Sequence, residues 1–350
     1  MAEAPKHLIE NPSAQRYTSD SAAGHDVLSD VLRTIRVNGA LQFCFMPRGA
    51  WQTGTEPAMA KLGSSVNSTI PLHIMVEGNC WIKMEGRTID FREGDIVAFP
   101  FGTGHQLGVG DGNGTLILPT DDLPPRPWRE LPMLRYEAHP RPGSERPLRL
   151  LCGYIECSAI NFKPLLHALP TLLHVRTEAI AARDAGDAGW LSATIAQMVA
   201  EADHPRTGGL SMLERLIEIV FIEMLRHQIL SAQIGDIGWL AAVADPALGR
   251  CLSFIHADAT HDWSIAELAI GSGLSRSTLC ERFDQLLGTS PMRYVRDWRL
   301  YLASVALVGG RKSMAAIGHD AGYGTEAAFS RAFTRAYGEP PAAWRRARQK

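Results

Sequence analysis

Two histidines in the first third of the sequence, His73 and His105, have side chains that could bind a metal ion or a small molecule. His105 closes the segment Gly94–His105, whose glycines and proline predict a turn between two strands. A histidine placed directly after such a turn would point into the interior of a β-domain. His73 lies in an apolar run, where alternation along a strand would put it on the same face as Glu77.

A catalytic metal centre needs more ligands than two histidines, for example two histidines and a carboxylate around open coordination positions. The possible additions are Glu77, Cys80 and Cys152. Two alternatives therefore stay open: a bound metal, or histidines that serve in the core or in an effector pocket. We predict an effector pocket at His73 and His105, and we expect neither a cofactor nor catalytic residues.

The last third of the sequence repeats one plan, in which two short helices are joined by a glycine turn. In the first copy, Ser264 can cap a helix, Glu267 completes a capping box, and the turn contains Gly273. Ser275 then caps a second helix over Arg276–Leu287. This arrangement is typical of a helix-turn-helix unit, whose second helix enters the major groove of DNA.

The second copy begins at Ser313, turns at Ala321–Gly324, and continues from the cap Thr325 into a helix over Glu326–Tyr337. Each second helix has two large apolar residues, four positions apart, that would face the core; these are Leu279 and Phe283, and Phe329 and Phe333. Between the copies, Pro291–Val308 predicts a connecting helix of roughly 27 Å. A helix of that length could hold two recognition helices in neighbouring major grooves.

Over residues 245–348 the sequence resembles the DNA-binding domain of the AraC/XylS family of transcription regulators. The resemblance is carried by the segments IAELAIGSGLSRSTLCERFDQLLGTSPMRYVRDWRL and IGHDAGYGTEAAFSRAFTRAYGEPPAAWRR. A phenylalanine–glycine–proline spacing also occurs in both copies, ending at Pro291 and at Pro341. The resemblance implies a bacterial transcription regulator that binds double-stranded DNA.

The resemblance places base-reading positions around Ser277, Cys280 and Glu281, and on the second helix Arg331 is best suited to bind guanine. The family often has arginine where Glu281 stands; this carboxylate would either accept a hydrogen bond from cytosine or remain solvated. The residues predicted to bind DNA are Arg276, Ser277, Thr278, Cys280, Glu281, Arg282, Thr325, Glu326, Ala327, Ser330, Arg331 and Arg335. The arginines predicted to neutralise phosphates are Arg276, Arg282, Arg335, Arg345 and Arg346.

The residues before this domain predict a β-rich fold. Asp26–Ile35 has the spacing of an amphipathic helix, and short apolar runs between residues 40 and 118 predict antiparallel strands. The proline-rich stretch 121–147 predicts a long irregular loop, and Arg149–Glu156 a last strand. The segment Gly94–His105 resembles the second cupin motif, although valine replaces its downstream asparagine and the first motif is degraded. This resemblance implies a cupin-like sensory domain.

Helical patterns resume from residue 164. A wide apolar stripe over Leu213–Leu225 would pack on its own domain or form a seam with a second subunit, and both can hold together because the stripe is wide. The predicted fold class is α+β, with a cupin-like antiparallel β-barrel followed by helices, and a C-terminal all-α domain with two helix-turn-helix units. The expected boundaries are a tail at 1–24, the barrel at 25–160, a helical dimerisation region at 161–232, a hinge at 233–245 and the DNA-binding domain at 246–350.

The charge is unevenly distributed along the 350 residues. The net charge is −2, yet residues 245–350 carry 14 lysines and arginines against 10 acidic residues. Attraction to phosphate would therefore be confined to this end. The six cysteines form no C-x-x-C pair, the first residues lack an apolar signal region, and no run approaches the ~20 apolar residues of a membrane span. These features predict a cytoplasmic protein without membrane contact.

The function predicted from these patterns is a regulator that binds DNA as a homodimer under the control of a small-molecule effector. The effector would bind in the cupin-like domain and change how the two domains dock across the hinge. A competing interpretation is a metal-dependent cupin enzyme with an appended helical domain, which would hold stoichiometric metal and lose turnover when His105 is replaced. A third is a regulator whose barrel is only a dimerisation scaffold.

Overall fold

The computed structural model describes residues 26–34, 37–54, 69–125, 127–138, 147–157, 169–177, 187–231 and 237–348. Contacts divide the chain into two compact units. The first, called the β unit here, comprises residues 36–160 and 169–231. The second, called the helical unit, comprises residues 1–35, 161–168 and 232–350. The predicted tail at 1–24 and residues 233–236 of the predicted hinge lie outside the described residues.

The described part of the β unit contains two sheets. The strands are β1 (Val37–Arg48), β2 (Trp51–Gly54), β3 (Thr69–Glu77), β4 (Asn79–Met84), β5 (Arg87–Arg92), β6 (Asp95–Ala98), β7 (Gln106–Gly108), β8 (Thr115–Leu116), β9 (Met133–Glu137), β10 (Arg149–Cys157) and β11 (Leu173–Arg176). One sheet has the order β11-β6-β3-β10-β1-β9 and the other β5-β4-β7-β2-β8.

Along the chain, one described α-helix precedes these strands and the others come after them. They are α1 (Val27–Thr34), α2 (Asp187–Asp203), α3 (Gly209–Leu230), α4 (Trp239–Ala244), α5 (Pro246–Ala257), α6 (Ile265–Ser272), α7 (Arg276–Leu287), α8 (Pro291–Gly309), α9 (Met314–Asp320), α10 (Glu326–Tyr337) and α11 (Pro341–Arg348). A single turn of 3-10 helix covers Pro119–Asp122. No helix in the described ranges is both long and apolar enough to cross a membrane.

The two sheets of the β unit share one apolar core. Phe45 on β1 and Val97 on β6 come from the six-stranded sheet, while Trp51 on β2 and Phe91 on β5 come from the five-stranded one. Side chains that alternate along a strand give each sheet one apolar face, and the two faces cover each other. The predicted fold class is confirmed, although the described strands form two separate sheets and no closed barrel.

Two strands lie where the sequence predicts other structure. β9 falls within the stretch 121–147 that was expected to be an irregular loop, and it pairs in parallel with β1. β11 follows the expected last strand, in a region where helices were expected, and pairs with β6. Both are edge strands of the six-stranded sheet. Their partners are distant in the sequence, so local patterns carry little information about them.

The apolar stripe on α3 packs against its own unit. Leu213, Ile217, Val220 and Phe221 are buried, and the helix contacts β1, β10 and β11. Close approach is possible because β10 has a glycine at the contact: a Cβ at Gly153 would lie only 2.9 Å from Ile217 Cδ1. Of the two interpretations of this stripe, packing within the domain is therefore what the structure contains.

Helix α1 belongs to the helical unit, whereas the predicted boundary at residue 25 assigns it to the barrel. Its apolar residues Val27, Leu28 and Val31 are buried, and the helix packs against α5. The Thr34 hydroxyl lies 3.2 Å from the hydroxyl of Tyr301 on α8. An amphipathic pattern predicts a buried face but does not say which partner covers it, and this explains the difference.

Candidate nucleic-acid interface

The first helix-turn-helix unit consists of α6 and α7. Ser264 Oγ accepts a hydrogen bond from the Glu267 N–H at 3.2 Å, and the Glu267 carboxylate accepts one from the Ser264 N–H at 2.9 Å. This is the predicted capping box. The chain then turns at Gly273, whose φ of 71° suits glycine because it has no Cβ. Ser275 Oγ accepts a hydrogen bond from the Thr278 N–H at 3.1 Å and begins α7.

The second helix-turn-helix unit, α9 and α10, has the same plan of side-chain caps and a glycine turn, although Ala316 stands where a capping box would need a glutamate. Ser313 Oγ accepts a hydrogen bond from the Ala316 N–H at 3.2 Å, and Thr325 Oγ1 accepts one from the Ala328 N–H at 3.2 Å. Between the two helices Gly322 has a φ of 82°. The repeated plan predicted from caps and glycines is therefore present in both units.

Each second helix is anchored by its predicted pair of large apolar residues. Leu279 and Phe283 on α7 are fully buried, as are Phe329 and Phe333 on α10. Helix α8 contributes to the cores of both helix-turn-helix units. The ring centroids of Tyr294 and Phe283 are 5.9 Å apart, and Leu307 belongs to the core of the second helix-turn-helix unit. One continuous helix therefore connects the two recognition helices.

The predicted contact residues occupy the outer faces of α7 and α10. Arg276, Ser277 and Glu281 are exposed on α7, and Glu326, Ala327, Arg331 and Arg335 on α10; Thr278, Cys280 and Ser330 are half-buried. When Leu279 is aligned with Phe329, Arg276 corresponds to Glu326 and Glu281 to Arg331. The charges at these two positions are therefore exchanged between the units. No described residue forms a salt bridge with Arg276, Arg331 or Arg335.

Arg282 is placed differently from the other predicted contacts. Its Nη1 lies 2.7 Å and 2.9 Å from the two carboxylate oxygens of Asp245, the residue that caps α5. The pair is partly buried, with the Asp245 side chain 22% exposed. The positive charge of Arg282 is thus already neutralised by the Asp245 carboxylate. This contact does not match the expectation that Arg282 binds a phosphate. Asp245 lies 37 positions earlier in the sequence, and no local signal identifies it as a partner.

Two of the arginines near the C-terminus also bind protein groups. Arg345 donates a hydrogen bond to the carbonyl of Lys312 at 2.8 Å, whereas Arg346 is exposed. Arg348, which is not among the predicted phosphate contacts, pairs with Glu339 at 2.7 Å and lies over the Trp344 ring. Arg346 is therefore the residue on α11 that fits the phosphate prediction best.

His73 and His105 meet in the core of the β unit, with their Nε2 atoms 2.9 Å apart. His105 Nδ1 lies 2.9 Å from the carbonyl oxygen of Thr103, which can only accept. His105 therefore carries its proton on Nδ1, and its Nε2 accepts a hydrogen bond from His73. This leaves His73 Nδ1 as a buried acceptor without a partner among the described residues.

Both histidines are held in the neutral form. Burial lowers the pKa of His105 to about 4, while the hydrogen bond to Thr103 acts in the opposite direction. Burial lowers the pKa of His73 well below its usual value, and the nearby His105 lowers it further. The His105 ring also stacks on Phe99, with ring centroids 3.5 Å apart. The pair is therefore a neutral, hydrogen-bonded group within an apolar core.

The additional ligands considered for a metal do not complete a site here. Glu77 is exposed at the end of β3. Burial raises the pKa of the Cys80 thiol to about 12 and that of Cys152 well above its usual value, so both thiols stay protonated. Within the described ranges, no three histidine, cysteine or acidic side chains are grouped as metal ligands.

Comparison with known proteins extends these observations to most of the chain. A family model described as "Cupin" matches residues 26–229, and one described as "Helix-turn-helix domain" matches residues 268–347. An AraC-like transcription regulator from Streptomyces antibioticus is 28% identical over 329 residues, which cover 92% of this chain and 98% of that protein. The regulator AlkR from Acinetobacter baylyi is 32% identical over 183 residues, 52% of this chain and 58% of that protein.

A solved transcriptional regulator with an AraC-type DNA-binding domain, from Chromobacterium violaceum, covers 30% of this chain and 94% of its own. It is 30% identical, with a TM-score of 0.29. The curated relatives are named as transcription regulators, so the cupin enzyme with an appended helical domain is not favoured. With a cupin domain followed by a helix-turn-helix domain, the chain belongs to the AraC/XylS family of DNA-binding transcription regulators.

Proposed function

We propose that α7 and α10 enter adjoining segments of the DNA major groove and that residues on their outer faces contact the bases and phosphates. The observation that carries this proposal is the duplicated unit, in which each recognition helix has a side-chain cap, a buried apolar pair and an exposed polar face. Helix α8 has 19 residues and is about 28 Å long, which is compatible with recognition helices in neighbouring grooves.

The base contact assigned with most support is Arg331. It is exposed on α10, and a guanidinium can donate two hydrogen bonds to guanine. Arg276, Arg335 and Arg346 are proposed to neutralise phosphates, whereas Arg282 is left out because Asp245 already binds it. Glu281 on α7 and Arg331 on α10 occupy equivalent positions but have opposite charges, so the two helices would read different bases. We therefore expect a DNA site composed of two unlike halves.

Removal of Arg331 tests the assignment of α10. The full-length protein is used with duplex DNA from its own upstream region, and binding is measured at several salt concentrations. Arg331→Ala should weaken binding about tenfold and relax the preference at one base pair, because a good bidentate contact is worth about 1–3 kcal/mol. Arg92→Ala, which removes an exposed arginine from the β unit, is the matched control and should bind as the wild type does. Equal binding by Arg331→Ala and the control would contradict the assignment.

We also propose that the protein is a homodimer formed through the outer face of α3. Met212, Ile219 and Leu230 are large apolar residues on α3 that remain exposed, with 45%, 42% and 74% of their surface accessible. They lie opposite the buried stripe, so they are not needed for packing within the unit. A second α3 helix would cover them, and a dimer would double the number of recognition helices on DNA.

Sedimentation velocity tests the dimer. Ile219→Lys places a charge at the centre of this face and should shift the protein to monomers. Leu116→Lys makes the same kind of change at an exposed residue of β8 and should leave the association unchanged. A monomeric wild type, or a dimer that persists in Ile219→Lys, would exclude this interface.

The protein is proposed to act in the cytoplasm.

The effector is proposed to bind in the β unit at His73 and His105. The unpartnered His73 Nδ1 supports this placement, because a buried acceptor gains from a ligand that donates a hydrogen bond. A thermal-shift screen of metabolites tests it, since a ligand that binds only the folded state raises the melting temperature. A ligand that stabilises the wild type and His73→Phe equally would place the site elsewhere.

A further inference from the structure

The segment Ile237–Asp245, which includes α4, is bound to the recognition helix α7. The Gly238 N–H donates a hydrogen bond to the carbonyl oxygen of Leu286 at 2.7 Å. Leu286 lies in the last turn of α7, where carbonyl groups have no partner within the helix. The end of the recognition helix is therefore closed by the residue that precedes α4.

A second link joins the other end of this segment to α7. Arg282 binds the Asp245 carboxylate at 2.7 Å and 2.9 Å. Arg282 and Leu286 are four residues apart and thus lie on one face of α7. The same carboxylate accepts hydrogen bonds from the first two amides of α5 that need a cap, those of Ala247 at 3.0 Å and Leu248 at 2.8 Å. Asp245 therefore fixes α7 to the start of α5.

A third link passes through the buried core. The Trp239 indole N–H donates a hydrogen bond to the Tyr294 hydroxyl at 2.8 Å, and the same hydroxyl lies 2.9 Å from His256 Nε2. The Tyr294 ring contacts Phe283 on the inner face of α7 edge to face. Helix α4 is thus held against the same helices that position α7.

We propose that Ile237–Asp245 is a bracket that sets the orientation of α7, and that Arg282 acts as a positioning residue. The inference rests on the proposed function, in which α7 contacts DNA. It differs from the prediction made from the sequence, in which Arg282 neutralises a phosphate. The bracket is also the first described structure after residues 232–236, which connect it to α3 of the β unit.

The two roles of Arg282 predict opposite effects when Asp245 loses its charge. If Arg282 binds a phosphate, Asp245→Asn removes a competing carboxylate, and DNA binding should strengthen with a steeper salt dependence. If Arg282 holds the bracket, the same substitution loosens α7 and weakens binding. Asparagine remains a good helix cap, so α5 keeps its start in this variant.

The experiment measures binding of the full-length protein to its upstream duplex as a function of salt. The bracket predicts that Asp245→Asn and Arg282→Gln each weaken binding about fivefold, and that the double variant is no weaker than either single one, because residues in one network are not additive. Asp297→Asn is the control: it removes a carboxylate on α8 that is 40% exposed and lies beside arginines, and it should change binding less than about twofold. Stronger binding by Asp245→Asn would overturn the bracket.

Hydrogen exchange of the protein without DNA provides a second readout. Loss of the bracket should speed exchange of the α7 amides in Asp245→Asn while the α10 amides exchange as in the wild type. Unchanged exchange in α7 would also overturn the proposal. If the wild type bound no duplex at all, the proposed function would fail, and the exchange rates of α7 would still decide for or against the bracket.

Discussion

Acidification should destabilise the β unit because His73 and His105 are buried in the neutral form. The pKa of His105 is lowered to about 4, whereas a histidine in an unfolded chain titrates near 6.5. Between these two values the unfolded chain binds a proton that the folded chain excludes. The contribution of His105 to the free energy of unfolding is therefore constant well above pH 6.5 and falls as the pH drops from about 6.5 towards 4.

The size of the effect follows from these values. At pH 5 the solution is 1.5 units below the pKa of an unfolded histidine, so His105 alone should cost about 2 kcal/mol relative to pH 7.5. Burial also lowers the pKa of His73 well below its usual value, so its contribution has the same sign. The loss of about 2 kcal/mol from His105 alone is already a large part of the stability of an ordinary domain.

Urea unfolding at pH 7.5 and pH 5.0 measures this difference. The double variant His73→Gln/His105→Gln should lose much less stability on acidification, because all other titrating groups are common to both proteins. His204→Asn, which replaces an exposed histidine of the same unit, should behave as the wild type does. The same loss of stability in the wild type and in the double variant would refute the reasoning, since it would show that neither histidine is kept neutral.

Three further predictions concern the helical unit. Phe333→Ala removes a fully buried ring and should lower the free energy of unfolding by about 3–5 kcal/mol, as measured by urea unfolding against the exposed substitution Arg346→Ala. Ser275→Ala removes the cap of α7 and should lower the free energy of unfolding, measured in the same way, by about 1 kcal/mol. Ser275→Asp keeps a capping side chain and should retain this stability. Glu281→Gln removes a carboxylate from the proposed DNA-facing side and should strengthen binding about threefold at low salt, an advantage that disappears at 0.5 M salt.

The sequence alone predicts the two helix-turn-helix units because their determinants are local. Caps such as Ser264 and Thr325 lie beside the amides they bind, and glycines such as Gly273 mark the turns themselves. The buried pairs four residues apart complete the pattern within a single helix. Each of these features can be recognised from a window of a few residues.

Features that depend on distant partners are not predictable in this way. The strand β9 pairs with β1, and Arg282 binds a carboxylate 37 residues earlier. The hydrogen bond between His73 and His105 spans 32 positions, so the sequence identifies the two residues but not their contact. Patterns along the chain predict which faces are buried, whereas the partner of each face is decided only when the chain folds.

The placement of α1 has a consequence for the modular construction of this regulator. The β unit lies between segments of the helical unit along the chain, since α1 precedes it and α4 follows it, and both of these helices pack against α5. A DNA-binding fragment that starts at Ile237 would expose the surface of α5 that Val27, Leu28 and Val31 cover. A chimaera with a different sensor should therefore retain α1 together with α4 to α11, so that the helical unit keeps its own amino-terminal helix.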